Sequence, residues 1–345
     1  MTKVNYFNIL LEDDGQRLDR WLRRNFPSLN QIQIEKLCRK GEIRINSGRV
    51  KPSRRLVSGE VVRIPPLQNL KPVVNEQTKK ILDSDAAMIK QAVIYQDDFL
   101  IVINKPSGLA VQGGSGQRDR HVDFLSEVFR EKRMEKPKLV HRLDKDTSGI
   151  LLLAKDRRTA DFLTKSFRSK TIRKVYWALV AGVPKTNIGT IRLSLAKIKL
   201  SSGQEKMISI QPSEEVNYPT AKRSVTDFVI IEKISQRATW VGLAPITGRT
   251  HQLRSHMAAI GCPIIGDTKY GSREQTNDGE GWGAQIGGII SRKLHLHARS
   301  IMFEHPVTKK LVFVEADLPK HMSSAWSTFN WNLKWAPTDP FKIHE

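Results

Sequence analysis

The sequence predicts an α+β protein in two parts: a small basic N-terminal module, and a larger domain built on a mixed, mainly antiparallel sheet. Three observations carry that prediction. Candidate strands outnumber candidate helices and do not alternate strictly with them, which excludes a doubly wound parallel sheet. Between Gly15 and Pro66, 13 Lys and Arg stand against 4 Asp and Glu, a net charge of +9 in 52 residues. Pro65, Pro66 and Pro72, with the polar run NEQTKKILDSD behind them, then read as a linker between two separate cores.

The basic module opens with two short helices. Leu18, Trp21, Leu22 and Phe26 recur at helical spacing with Arg17, Arg20, Arg23 and Arg24 on the other face, and Ile34, Leu37 and Cys38 repeat the pattern. After Gly41 the period changes to two: Ile43, Ile45, Val50, Val57, Val61 and Ile64 alternate between Gly48, Pro52 and Gly59, the signature of short strands. Beyond the linker, strands are expected at residues 93–95, 99–104, 150–154, 174–181, 225–231, 239–244, 294–303 and 311–315. Helices are expected at 123–132, 158–169 and 250–261. The boundaries are residues 1–66 for the basic module, 67–90 for the linker, 91–318 for the larger domain and 319–345 for a C-terminal extension. That extension, with Trp326, Trp331 and Trp335, reads as a docked helix rather than a platform for stacking bases.

Composition narrows the function. The chain has 345 residues, and 57 Lys+Arg against 35 Asp+Glu leave a formal charge of +22. Such an excess seeks a polyanion, and nucleic acid is the expected partner. Two distant cysteines, Cys38 and Cys262, supply neither a disulfide framework nor a thiolate zinc site and fit a reducing cytoplasm. The N-terminus lacks a cleavable signal, and no apolar run approaches the ~18–20 residues of a membrane span. GEGWGA at Gly279–Ala284 matches G-x-G-x-x-A but follows the polar stretch SREQTND, so it reads as a loop. There is no P-loop and no G-x-S-x-G elbow. His251 and His256, with His295 and His297, do not have metal-ligand spacing and read as packing and hydrogen-bonding residues, so no metal is expected.

The chemistry is carried by HRLDKDTSGILLLAK, His141–Lys155. It sets Asp144 between Arg142 and a Thr147-Ser148-Gly149 turn feeding an apolar strand. A carboxylate aimed from a strand mouth beside a cation suits a nucleophile or base. Taken alone, the same residue reads as well as a turn cap. The segment closely resembles the H-R-L-D-x-x-T-S-G signature of the RluA family of pseudouridine synthases, with every fixed position filled. RKVYWALVAG (Arg173–Gly182) resembles the family's K-x-Y-x-A-x-V-x-G strand. PITGRTHQLRSHMAAIGCPIIGDTKYG (Pro245–Gly271) resembles its T-G-R-T-H-Q-[IL]-R-x-H helix and following G-D-x-x-Y-G loop, and LHLHARSIMFEHP (Leu294–Pro306) its L-H-A strand.

In the basic module, the order of two helices, an Arg-Lys-Gly-Glu turn, a strand with Asn46 and a Gly-Glu hairpin strand resembles the S4 RNA-binding module. By that resemblance Arg17, Arg20, Arg39, Lys40, Arg44 and Lys51 are the phosphate contacts. Together the likeness spans about residues 15–318. Within the family, RKGEIRINSGRVKPSRRLVSGEVVRIPP and NKPSGLAVQGGSG look most like the RluC subgroup, which modifies 23S ribosomal RNA, with the RluD subgroup as runner-up on the same RNA. The Glu274–Ile290 loop looks longer than the bacterial pattern.

The resemblance implies a reaction that breaks the N1–C1′ bond of uridine, rotates the uracil and rejoins it through C5, without cofactor or metal. Asp144 has three routes open to it: addition to C1′, addition to the base, or removal of a C2′ proton to give a glycal. Arg254 is expected to pair with and orient it, Tyr176 to lie against the uracil, and Leu296 to form the apolar far wall. Arg142 is expected to fill the stack vacated by an extruded base. The implied partner is 23S ribosomal RNA or a large-subunit assembly intermediate, met by a cytoplasmic monomer. A catalytically silent S4-type assembly factor and a basic DNA-binding protein are the other readings. The filled Asp144, Tyr176 and Arg254 positions argue against the first, and the missing helix-turn-helix and zinc-finger patterns against the second.

Overall fold

A computed structural model describes residues 4–10, 13–26, 28–66, 81–113, 120–131, 135–199, 205–271 and 290–341. It divides into two compact units, Met1–Lys80 and Ile81–Glu345. The expected loops at Gly279–Ala284 and Glu274–Ile290, apart from Ile290 itself, lie outside the described residues, as do residues 67–80 of the linker.

The first unit contains β1 (Asn5–Asn8), α1 (Leu18–Asn25), α2 (Gln31–Lys40), β2 (Arg44–Ile45), β3 (Gly48–Arg49) and β4 (Val61–Ile64). Its antiparallel sheet runs β1-β4-β2-β3. The amphipathic spacing does what it must: Leu18, Trp21, Leu22 and Ile34 are buried against Ile43, Ile45, Val62 and Ile64, leaving the arginines of α1 outward. A capping box starts α2, with Asn30 and Gln33 each accepting the other's backbone N–H at 2.9 Å. The N-terminal strand β1 was not expected; it closes the sheet edge by pairing Asn5–Asn8 with Val61–Ile64.

The second unit begins with a correction. The linker expected to reach residue 90 stops short of it, because Asp83–Gln91 is a helix, α3, whose Ile89 is fully buried in the second unit's core. There follow β5 (Val93–Gln96), β6 (Leu100–Lys105), α4 (Val122–Leu125), β7 (Lys138–Leu139), β8 (Ser148–Ala154), α5 (Arg157–Ser169) and β9 (Arg173–Ala181). Next come β10 (Ile188–Lys199), β11 (Glu205–Ile210), β12 (Lys222–Ile234), β13 (Ala238–Pro245), α6 (Gln252–Ala259), β14 (Leu296–Glu304), β15 (Leu311–Glu315) and α7 (Lys320–Thr328). The strands form one sheet in the order β11-β10-β12-β13-β9-β14-β8-β6-β5, with β15 beside β14 and β7 beside β8. Only β14 and β8 pair in parallel, so the sheet is mixed and mainly antiparallel. β10 and β11 were absent from the expected strands.

Alternation along β9 and β13 gives the middle of this sheet two cores. Val175, Trp177 and Leu179, with Ala238 and Trp240, face one side, where α7 brings Trp326 and the chain beyond it brings Trp331. Trp240 meets Trp177 at 4.8 Å and Trp326 at 5.4 Å, edge to face. Ala178 and Val180, with Val241 and Leu243, face the other side and pack against Leu253 and Met257 of α6. Tyr176 and Lys174 share the α6 side, and that side carries the candidate site.

Candidate active site

One cavity of about 890 Å³ opens on the α6 side of the sheet, and Arg142, Asp144, Tyr176, Arg254 and Leu296 all line it. Four separate stretches of sequence meet there. The loop after β7 supplies Arg142 and Asp144, β9 supplies Tyr176, α6 supplies Arg254, and β14 supplies Leu296, whose partner across the ladder is Ala178. Seven Lys and Arg side chains line the cavity against a single carboxylate, Asp144. Arg173 is neutralised elsewhere, by a two-point contact with Asp339 at 3.1 Å. Desolvation, and then the charge of Asp144, push the Tyr176 phenol above its ordinary range, so it stays protonated.

Two features hold the Asp144 loop. Gly149, at φ +105°, lies so close to β14 that a Cβ there would sit 2.3 Å from the Ala298 carbonyl oxygen; only glycine lets β8 and β14 pair at this point. The second feature is Lys105, at the end of β6, which the sequence reading passed over. Its fully buried ammonium donates to the carbonyls of Pro106, Leu109 and Lys145 at 2.8–3.0 Å. Gly108 N–H also donates to the Lys145 carbonyl, and the Ser107 hydroxyl to that of Asp146. The NKPSG turn thus clamps the backbone immediately after Asp144, at Lys145 and Asp146. Burial pushes the Lys105 ammonium down to about 7, against the pull of Asp146 and Asp144. A lysine following an apolar strand and preceding Pro-Ser-Gly was the available signal.

The expected Arg254–Asp144 ion pair is not formed. Arg254 instead forks onto Asp267, Nε to Oδ2 and Nη2 to Oδ1, both at 2.7 Å, with side-chain exposures of 5% and 0%. Asp267 wins because it is prepositioned: the backbone N–H groups of Lys269 and Tyr270 also donate to its Oδ1. The sharp turn before it requires Gly266 at φ +76°, where a Cβ would lie 2.0 Å from the Lys293 carbonyl oxygen. The charge of Asp144 still reaches Arg254 through space and helps hold its guanidinium above the ordinary range. Among the described residues, the ion-pair neighbour of Asp144 is His251, whose Nε2 stands 3.9 Å from Oδ2.

Of the other histidines expected to pack and hydrogen-bond, His256 and His297 do both, while His295 packs without a hydrogen-bond partner among the described residues on either ring nitrogen. The Ser224 hydroxyl donates to the Leu193 carbonyl at 2.7 Å, and so accepts from His256 Nε2–H at 2.7 Å. His297 donates through Nε2–H to the Ala316 carbonyl and accepts at Nδ1 from Ser148. His295 is buried beside the ring of His321. Among the described residues, no group of three His, Cys, Asp or Glu side chains gathers as metal ligands. Both cysteines are buried and free. No helix among the described residues is long and apolar enough to cross a membrane.

In the first unit, Arg20, Arg39 and Lys51 are exposed. The other three expected phosphate contacts are partly committed. Arg17 is held by Asp19 at 3.1 and 2.6 Å, Arg44 donates to the Gly41 and Ser47 carbonyls, and Lys40 lies 3.6 Å from Glu42.

Residues 99–259 match the family described as RNA pseudouridylate synthase. The chain is 39% identical over 323 residues to the ribosomal large subunit pseudouridine synthase C of Vibrio vulnificus (strain CMCP6), covering 93% of this chain and 95% of that protein. It is 38% identical over 327 residues to the protein of the same name from Haemophilus influenzae, covering 94% of each. Two solved structures share the fold. Human RNA pseudouridylate synthase domain containing 4 is 28% identical with a TM-score of 0.57, over 71% of this chain and 95% of that one. Human RNA pseudouridylate synthase domain containing 1 is 26% identical with a TM-score of 0.52, over 66% and 83%.

Proposed function

This chain belongs to the RNA pseudouridylate synthase family, RluA type, and we propose that it isomerises uridines of 23S ribosomal RNA to pseudouridine in the manner of the RluC subgroup. One observation carries the proposal: among the described residues a single carboxylate, Asp144, lines a cavity whose other Asp/Glu/Lys/Arg side chains are all cations and which Tyr176 and Leu296 bound. The cations suit a phosphodiester chain on either side of a target nucleotide. The apolar and aromatic walls suit an extruded uracil.

The reaction needs an ionised carboxylate at the ribose. The NKPSG clamp fixes the loop that carries Asp144. The N1–C1′ bond breaks, the uracil turns, and C5 takes the place of N1 on C1′; the proton lost from C5 is balanced by one gained at N1. Tyr176, protonated throughout, lies against the base, and Arg142, exposed at the cavity mouth, takes the vacated place in the stack. No cofactor enters, and the enzyme works as a cytoplasmic monomer on ribosomal RNA or a large-subunit precursor. The first unit adds salt-dependent affinity through Arg20, Arg39 and Lys51.

Asp144→Asn tests this reading. The amide fills the same space but is neither nucleophile nor base, so pseudouridine formation on a 23S transcript should fall well beyond the ~10²–10⁴-fold of a lost general base, with RNA affinity kept. Mapping pseudouridines in ribosomal RNA from a deletion strain names the targets. A full complement of large-subunit pseudouridines in that strain refutes the substrate assignment.

A further inference from the structure

Asp144 faces an imidazole whose proton position is set from behind. His251 Nδ1 lies 2.9 Å from the Tyr270 hydroxyl, and that hydroxyl oxygen accepts from the Met207 backbone N–H at 3.3 Å. A backbone N–H is only a donor, so the phenolic O–H is left to donate in turn, and His251 Nδ1 is the acceptor in reach. Burial keeps the phenol protonated, pushed up to about 12. With Nδ1 accepting, a neutral imidazole carries its proton on Nε2, the edge 3.9 Å from Asp144 Oδ2.

The charged groups facing this imidazole come from three elements. Asp144 lies on the loop before β8, Arg254 on α6, and Asp267 and Lys269 on the turn that bears Tyr270. Burial, aided by Arg254 and Lys269, outweighs the two carboxylates and holds His251 below the ordinary histidine range, which keeps it neutral. Its backbone is also unusual. At φ 51° and ψ 23°, His251 occupies the left-handed region immediately before α6, a costly conformation for a residue with a side chain. The packing retains it, and the imidazole is thereby turned toward the cavity it lines.

From this geometry we infer that His251 is a positioning residue, its Nε2–H orienting the Asp144 carboxylate in the cavity where Arg254, committed to Asp267, does not reach it. The inference rests on Asp144 being the reacting carboxylate. Tyr270 is the second member of the device, acting on Asp144 only through the tautomer of His251. The 3.9 Å contact closes to a hydrogen bond when a ribose excludes water from the cavity.

Single-turnover pseudouridine formation by the full chain, at saturating concentrations of a 23S transcript, tests the assignment. His251→Phe removes the donor and should slow the reaction by ~10²-fold, the scale of a misplaced reacting group, with RNA affinity and melting temperature unchanged. His251→Gln restores a donor near the Nε2 position and should recover the rate to within about fivefold of wild type. Tyr270→Phe frees the tautomer and should give a smaller loss, and the double variant His251→Phe/Tyr270→Phe should be no slower than His251→Phe alone.

A wild-type rate for His251→Phe, equal losses for Phe and Gln, or additive losses in the double variant each overturn the inference. Should His251→Phe fail to fold, Tyr270→Phe, which removes one oxygen, carries the test, and an unchanged rate refutes it. A fully active Asp144→Asn refutes the reading of Asp144 and this inference with it. An inactive Asp144→Asn beside a fully active His251→Phe refutes this inference alone.

Discussion

Two arginine–aspartate forks, alike in geometry, sit in the two units of this protein and do different work. In the first unit Arg17 holds Asp19 through two contacts while its own side chain remains 42% exposed. In the second, Arg254 holds Asp267 with both side chains sealed from water. Solvent reaches and screens the Arg17 guanidinium, although the Asp19 carboxylate it holds is only 4% exposed. In the second pair neither ion is so reached, and removing one strands the other in a low-dielectric interior. Bidentate geometry therefore does not tell a stabilising device from a surface ornament; burial does.

Arg254→Met gives the largest effect that separates the two forks. It should cost about 3–5 kcal/mol in urea unfolding of the second unit, because Asp267 keeps its charge and loses its cation. The matched Arg17→Met should cost less, because water already reaches the Arg17 guanidinium. Equal costs would break the comparison.

The next effect concerns salt. Replacing the exposed Arg20, Arg39 and Lys51 together by Gln should lower the slope of log RNA affinity against log salt by about 2–3, at ~0.7–0.9 per phosphate contact. Arg17→Gln should lower it by less than the ~0.7–0.9 of one contact, since Asp19 already occupies its guanidinium. An unchanged slope in the triple variant would make the basic module a solvated face.

The third effect is acid sensitivity. All nine histidines lie at or beyond His121, so the first unit has none. In the second unit burial pushes His256 down to about 4 and His295 and His297 to about 3. These imidazoles stay neutral in the fold but take protons near pH 6.5 once unfolded, so the unfolded state binds more protons across that window. Stability contributed by the neutral imidazoles is complete above about pH 6.5 and lost as pH falls toward 4 and 3. Calorimetry at pH 7 and pH 5 should show the second unit's transition moving down while the first unit's stays nearly fixed. Equal shifts would place the acid sensitivity outside the histidines.

Much of the site was legible because its residues lie in ordered local patterns. The turn HRLDKDTSG, the strand RKVYWALVAG and the helix THQLR each mark their residues through resemblance to a family motif of fixed order. Elements of weak local contrast were harder to see. In α3 only Asp85 and Ile89 are buried, so the segment resembles its polar surroundings in composition and passes for linker. In β10 a signal existed, Ile191, Leu193 and Leu195 alternating with Arg192 and Ser194, but its outer partner β11 buries little beyond Ile210.

The sequence by itself determined the two-part organisation, the mixed sheet, the basic helices and the set of side chains that surround the cavity. The first three follow from short-range periodicity, turn chemistry and charge, which are properties of neighbouring residues, and the last from the resemblance to a family's ordered motifs. Only the tertiary structure decided the pairings. Arg254 feels the charge of Asp144 but bonds to Asp267, because two backbone N–H groups and complete burial had already fixed that carboxylate. His251 stands before Asp144 because α6 begins from a left-handed residue and Tyr270 returns to meet it across a loop. Such choices turn on distances of a few ångströms between segments remote in sequence, where electrostatic energy changes steeply and local pattern carries no record of it.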